Sequence, residues 1–174
     1  MNYSKITISG PVCTGKSTLF HRLEKQLHWK TFSTSSYFRE YAEKHNIDIE
    51  SGDEQNETVT KAIDFTVKKM LEGPEHLIVE GWMAGLMAED RTDVLRILLV
   101  CDDTVRIQRY CMREDTDPEN AYEDITDRER NLFKKLSEIY KRNDFLDKNK
   151  YDLVIDTTNL TEDEVFDRVI AELE

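Results

Sequence analysis

A chain of 174 residues, 39% hydrophobic and 34% charged, with only six Gly and three Pro, fits one ordered, helix-rich domain with a core of its own. Its 36 acidic residues outnumber the 24 basic ones, and the formal net charge of −12 argues against general binding to nucleic acid or to an anionic membrane. Any anionic ligand must therefore meet a local cluster of positive groups.

The segment from Tyr3 to Ser9 carries Ile6 and Ile8 between polar residues and reads as a first strand, not as a signal peptide. From Lys16 the period becomes helical, with Leu19, Leu23 and Leu27 on one face. Lys30 to Ser33 reads as a weak second strand, and Tyr37 to Lys44 as helix. Ser51 with Glu54 has the spacing of a capping box. It precedes a stripe of Val59, Ala62, Ile63, Val67, Met70 and Leu71, which Gly73-Pro74 ends. Leu77 to Val79 and Val94 to Val100 read as buried strands, and Thr104 to Arg113 as helix. Asp117-Pro118 starts a long helix that runs on through Tyr140. Leu153 to Ile155 is a last strand, and Thr161 with Glu164 caps a final helix whose inner face is Val165, Val169, Ile170 and Leu173. Strands that alternate with helices imply an α/β fold, a five-stranded parallel sheet with helices on both faces. Ligands of such sheets bind at the carboxyl ends of the strands. No run is long and apolar enough for a membrane span. Cys13, Cys101 and Cys111 form no CxxC and no metal-ligand spacing, which points to a reducing cytoplasm.

The most informative segment is Gly10-Pro11-Val12-Cys13-Thr14-Gly15-Lys16-Ser17-Thr18. It matches GxxxxGK[ST] between a predicted strand and a predicted helix, the context that a phosphate-binding loop requires. Glycines permit the tight turn that lets successive amides converge on phosphate oxygens, and the helix adds the positive end of its dipole. Lys16 is then expected on the β- and γ-phosphates of ATP, and the Ser17 hydroxyl on Mg²⁺.

A GTPase is one rival, because Asn149-Lys150-Tyr151-Asp152 matches NKxD. That motif belongs after a strand. Here it precedes one, and no DxxG follows the third strand, so Asn149 and Lys150 read as a solvated turn. The alternative is a kinase, whose catalysis is mostly positioning and charge neutralisation. Arg106, Arg109 and Arg113, spaced three and four apart, share a helix face. Arg128, Arg130, Lys134 and Lys135 follow on the next helix. The competing reading pairs these cations with neighbouring acids such as Glu114, Asp115, Asp127 and Glu129 on a solvated face.

Together these residues resemble the cytidylate kinase family, especially its short single-domain form. The resemblance covers most of the chain. It runs through ITISGPVCTGKST, Phe38-Arg39-Glu40 with Ala42, Val79-Glu80-Gly81 with Ala84-Gly85, Val105-Arg106 with Arg109 and Arg113-Glu114, Arg128-Glu129, Tyr140 and YDLVIDT from Tyr151 to Thr157. It implies an adenylate-kinase-like P-loop NTPase fold, with a nucleoside-monophosphate-binding region at roughly 33–75 and a helical lid at roughly 104–145. By the same resemblance Arg39 binds the acceptor's phosphate, while Arg106, Arg109, Arg113 and Arg128 clamp the transferring phosphoryl group. Glu80, at a strand end facing the loop, holds a water of Mg²⁺. Two positions depart from the family. Lys135 stands where Arg is usual, keeping the charge but losing the bidentate fork. Trp82 stands where Arg usually follows Glu-Gly, so a phosphate contact is exchanged for an indole that stacks on a base or packs beside the sheet. The helix from Thr58 to Leu71 also lacks the family's cytosine-reading residues. It offers Lys61, Asp64, Phe65, Thr66 and Lys68.

The expectation is a cytoplasmic ATP- and Mg²⁺-dependent nucleoside monophosphate kinase acting on a CMP- or dCMP-like acceptor. A kinase for another small molecule and a nucleotide-binding regulator with little turnover are the alternatives. Its partners are small-molecule nucleotides, not nucleic acid or membrane. A monomer is expected, with a homodimer as the alternative. His21, His28, His45 and His76 receive no metal or catalytic role.

Overall fold

The computed structural model describes residues 3–45 and 57–173. β1 (Lys5–Ser9), β2 (Lys30–Ser33), β3 (Leu77–Glu80), β4 (Val94–Val100) and β5 (Leu153–Asp156) form one parallel sheet in the order β2-β3-β1-β4-β5. The helices are α1 (Lys16–Leu27), α2 (Thr34–His45), α3 (Glu57–Glu72), α4 (Asp103–Glu114), α5 (Pro118–Tyr140) and α6 (Glu162–Leu173). Consecutive strands β1 and β2 are separated by β3, and the order reverses direction at β1, so the carboxyl end of β1 opens onto a crevice.

Helices cover both faces of the sheet, so the central strands β1, β3 and β4 are almost wholly buried, including the polar Thr7 and Ser9. On one side Ile6, Ile8, Leu95 and Ile97 pack with Leu19 and Leu23 of α1 and with Val165, Val169 and Leu173 of α6. On the other, Val79, Leu77 and Val94 meet Ile63, Val67 and Leu71 of α3. The weak second strand is an edge strand that pairs only with β3.

Both predicted helix starts in the second half are present. Asp117 accepts hydrogen bonds from the Glu119 and Asn120 amides, both at 3.0 Å, with Pro118 in the first turn. Thr161 and Glu164 bond reciprocally, amide to side chain, at 2.8 and 3.2 Å. The Ser51–Glu54 capping box lies outside the described residues. The first strand begins at Lys5 instead of Tyr3, where Lys5 turns its buried ammonium to Asp93 at 3.1 Å. A 3-10 turn over Ala84–Ala88 has no counterpart in the sequence pattern. Asn149 and Lys150 lie in a second 3-10 turn, capped by Asp147, at the amino end of β5. That is the sheet edge opposite the phosphate loop, and Asp152 is held there by Arg96 at 2.7 Å.

A separate apolar cluster joins the carboxyl half of α5 to the segment after β3. Phe145 is fully buried within it, edge-on to Phe133 at 5.6 Å and tilted against Trp82 at 6.1 Å. Phe145→Ala is expected to lower the unfolding free energy by about 3–5 kcal/mol, because it removes a fully buried ring from the centre of this cluster. Urea denaturation with an unchanged slope is the check.

Candidate nucleotide and acceptor site

The loop after β1 takes its shape from three left-handed residues. Gly10 has φ +145°, and a Cβ there would lie 2.3 Å from the Leu99 carbonyl oxygen, so no other residue fits. Gly15 caps α1 with φ +94°, and Cys13 between them has φ 60°. The first turn of α1 holds no acid, and no side chain caps its amides, which leaves that end of the helix to an anion.

Loop and neighbours are cross-braced. The Thr14 hydroxyl donates to the Pro11 carbonyl at 3.0 Å, and the buried Thr157 hydroxyl, just past β5, donates to the Thr14 carbonyl at 3.0 Å. Arg109 reaches under the loop, its Nη1 to the Cys13 carbonyl at 3.2 Å and its Nη2 to the Thr157 carbonyl at 2.8 Å. Lys16 Nζ folds back on the Pro11 carbonyl at 2.6 Å. Lys16 is partly buried at the inner end of the cleft. Desolvation pushes its pKa down to about 8, against the pull of Glu80 and Glu129.

Glu80, 4% exposed at the end of β3, accepts from the Ser17 hydroxyl at 3.2 Å and from Ser33 at 2.9 Å. A hydroxyl and a carboxylate in contact, facing the phosphate loop, are the hard oxygen donors that Mg²⁺ takes when phosphates and waters complete its shell. No cluster of three or more His, Cys, Asp or Glu suited to a metal occurs among the described residues.

An open cleft of about 1440 Å³ runs from the loop across the sheet edge. Val12 to Thr18 line one end, with Gly10 and Pro11 forming the turn behind them. Arg39 of α2, Arg109 and Arg113 of α4, and Arg128 and Lys135 of α5 also line it, as do Glu80 and Trp82. Arg39 and Arg128 are exposed, while Arg113 lies over the Tyr110 ring and pairs with Glu114 at 2.6 Å. Lys135 is half-buried, and burial lowers its pKa.

Arg106 departs from the expectation of a cation clamping the phosphoryl group. Its side chain is 8% exposed, does not line the cleft, and is engaged by Asp103, Glu129 and the Val12 carbonyl. The spacing in α4 placed the three arginines on one face but could not rank their depth.

Trp82 both packs and lines the cleft. Its ring meets Phe133 and Phe145, and its buried indole N–H has no partner among the described residues. The hydroxyl of Thr60, 5% exposed, is likewise unpartnered and on the cleft. One turn along α3, Asp64 accepts a hydrogen bond from Tyr140 of α5. Burial pushes the Asp64 carboxyl up. Asp64 and Tyr140 were visible in the sequence, but nothing in their spacing joined them.

Comparison with known proteins gives a consistent result. The model of a family described as the cytidylate kinase-like family matches residues 5–159. A cytidylate kinase of Sulfurisphaera tokodaii is 31% identical over 163 residues, 92% of this chain and 89% of that one. A cytidylate kinase of Methanopyrus kandleri is 33% identical, with 92% and 88% covered. Among solved structures, an uncharacterized protein from Eubacterium ventriosum superposes with a TM-score of 0.76 at 14% identity, covering 97% of both chains. A shikimate kinase from Acinetobacter baumannii superposes at 0.62 and 16%, covering 98% and 93%.

The depressed Lys16 pKa carries a sign. A bound triphosphate favours the ammonium and raises that pKa, so nucleotide binding near pH 8 to 9 must take up protons. Affinity is expected to be flat well below pH 8 and to fall as pH rises through it. Burial raises the Cys13 thiol, which keeps it out of that window. Calorimetric titration of Mg–ATP at about pH 8.5, in two buffers of different ionisation enthalpy, reads the uptake directly. Identical heats would contradict it.

Proposed function

Because this chain belongs to the cytidylate kinase-like family and is a nucleoside monophosphate kinase, we propose that its acceptor is CMP or dCMP and that the cleft divides into a donor half and an acceptor half. The observation that carries this reading is the cleft itself, which joins the phosphate loop to a wall of α2 and α3 with cations on both sides. ATP takes the loop, with Lys16 on its terminal phosphates. Arg109, Arg113 and Arg128, on helices α4 and α5 acting as the lid, surround the transferring γ-phosphoryl. Arg39 and Lys135 hold the acceptor's phosphate, and residues 33–75 form its binding region. Ser17 and Glu80 hold Mg²⁺, which neutralises charge on the β- and γ-oxygens when bound.

Transfer is in line, from the γ-phosphorus to an oxygen of the acceptor phosphate, with ADP leaving. That oxygen is already ionised near neutral pH, so no general base is needed. Closure of α4 and α5 over the cleft excludes water, which would otherwise compete as acceptor. The base sits between Trp82 and α3, where the family's cytosine-reading residues are replaced. Asp64 is a hydrogen-bond acceptor that suits the exocyclic amine of cytosine. The unpartnered Thr60 hydroxyl and Trp82 N–H suit its ring nitrogen and carbonyl. The three free cysteines fit a reducing cytoplasmic setting.

Trp82 favours one second reading, a kinase for a different small molecule. With no guanidinium there, the acceptor end of the cleft is less cationic and more aromatic. ADP release measured with each NMP and dNMP, at millimolar acceptor, separates the two. CMP or dCMP is expected to stimulate most, and no stimulation by any of them would retire the nucleotide acceptor.

Two substitutions test the assignment. Arg39→Ala is expected to raise the acceptor KM by roughly 10- to 100-fold, the worth of a charge-assisted hydrogen bond, while leaving the ATP KM nearly unchanged. Asp64→Asn turns an acceptor-only group into one that also donates. It is expected to cut the CMP-over-UMP ratio of kcat/KM by about tenfold or more. An unchanged ratio would remove Asp64 from base recognition.

A further inference from the structure

Behind the phosphate loop lies a closed ring of hydrogen bonds that phosphate binding does not itself require. The Val12 N–H donates to Glu129 Oε1 at 2.7 Å, and Arg106 Nε donates to the Val12 carbonyl at 2.8 Å. Arg106 Nη2 completes the ring on the same Glu129 oxygen, and Nη1 is anchored to Asp103 at 2.7 Å. Both main-chain groups of a single loop residue are thus held, one by a carboxylate from α5 and one by a guanidinium from α4. The two side chains are 8% and 22% exposed, and neither lines the cleft. While the ring is closed, the Val12 amide is committed to Glu129.

The neighbours of the ring explain what it can do. Arg109 follows Arg106 by one turn of α4, and Arg128 precedes Glu129 on α5. Fixing Arg106 and Glu129 to Val12 therefore fixes where the next cations on both helices project relative to the loop. We propose that Arg106 and Glu129 are positioning residues that clamp the phosphate loop at Val12 and set the register of the two basic helices against a bound triphosphate. Charge stabilisation of a phosphoryl group depends on placement, and a displacement of about 1 Å costs on the order of 100-fold in rate. The inference rests on the loop holding a triphosphate, but not on which acceptor is used.

The test compares Glu129→Ala, Glu129→Gln and Arg106→Lys with wild type, and with Glu138→Gln as an exposed acid on the same helix. Folding is checked by circular dichroism, and kcat, both KM values and Mg–ATP affinity are measured across pH. Glu129→Ala is expected to lower kcat by about 30-fold or more and ATP affinity several-fold, with acceptor KM within about threefold. Glu129→Gln keeps a carbonyl for the Val12 N–H and recovers much of kcat near pH 7. Arg106→Lys, which cannot reach carbonyl and carboxylate together, is expected to resemble the alanine variant. A folded Glu129→Ala with kcat and ATP affinity within about twofold of wild type, and only a lowered Tm, would overturn the proposal. If Glu129→Ala does not fold, the same criterion applied to Arg106→Lys decides. If wild type binds ATP but no NMP drives ADP release, the acceptor assignment falls, and the ATP-affinity ratio still decides the ring.

Discussion

The site depends on main-chain amides held in place by the phosphate loop, whose partial positive charges are fixed before an anion arrives. In a chain of net charge −12 that dependence is severe. Long-range attraction does not bring an anion here, so the site depends on local geometry. The loop supplies it through Gly10, which lies against the Leu99 carbonyl, and Gly15, whose left-handed conformation starts α1 with free amides. The neighbouring strands hold that geometry from outside. Thr157 past β5, Arg109 of α4 and the Arg106–Glu129 pair all bond to loop main chain, and the last pair does so from outside the cleft.

Those contacts explain why the acids around the site do not defeat it. Glu80 and Glu129 both lie near Lys16, and each carboxylate accepts from two defined donors: Ser17 and Ser33, one on each oxygen of Glu80, and Val12 and Arg106, both on one oxygen of Glu129. A carboxylate satisfied in this way repels a phosphate less than a free one, and it favours the lysine ammonium that burial would otherwise discharge. Opposed charges near the loop thus tune a single lysine.

The loop and the element order were legible in the sequence because they rest on short-range rules. Glycine offsets, capping pairs such as Asp117-Pro118 and Thr161–Glu164, and apolar strand runs each report on a few adjacent residues. What spacing could not show was which residues meet across the fold. Helical periodicity put Arg106, Arg109 and Arg113 on one face, yet the first is buried on Glu129, the second is tied under the loop, and the third is half exposed. Asp64 and Tyr140 are 76 positions apart and meet only in the folded chain. Trp82 was legible as a departure, but its double character, packed on Phe133 and Phe145 with an unpartnered N–H, required the three-dimensional cluster.

The two halves of the cleft differ in what builds them, and that difference bears on how the fold diversifies. The donor half is main chain held by buried ion pairs and a strand-end threonine, so most substitutions there disturb the loop itself. The acceptor half is side chains projecting from α2, α3 and the segment after β3 onto an apolar floor of Val67, Met83 and Leu136. Exchanging Arg for Trp at position 82 changes charge and shape there without touching any loop hydrogen bond. A fold built this way can keep its phosphate chemistry while its acceptor changes, as expected when the same architecture is shared with a shikimate kinase at 16% identity. Thr60 and Asp64 on α3 and Trp82 just after β3 line that end of the cleft, so they can change independently of the ring that ties the loop to α4 and α5.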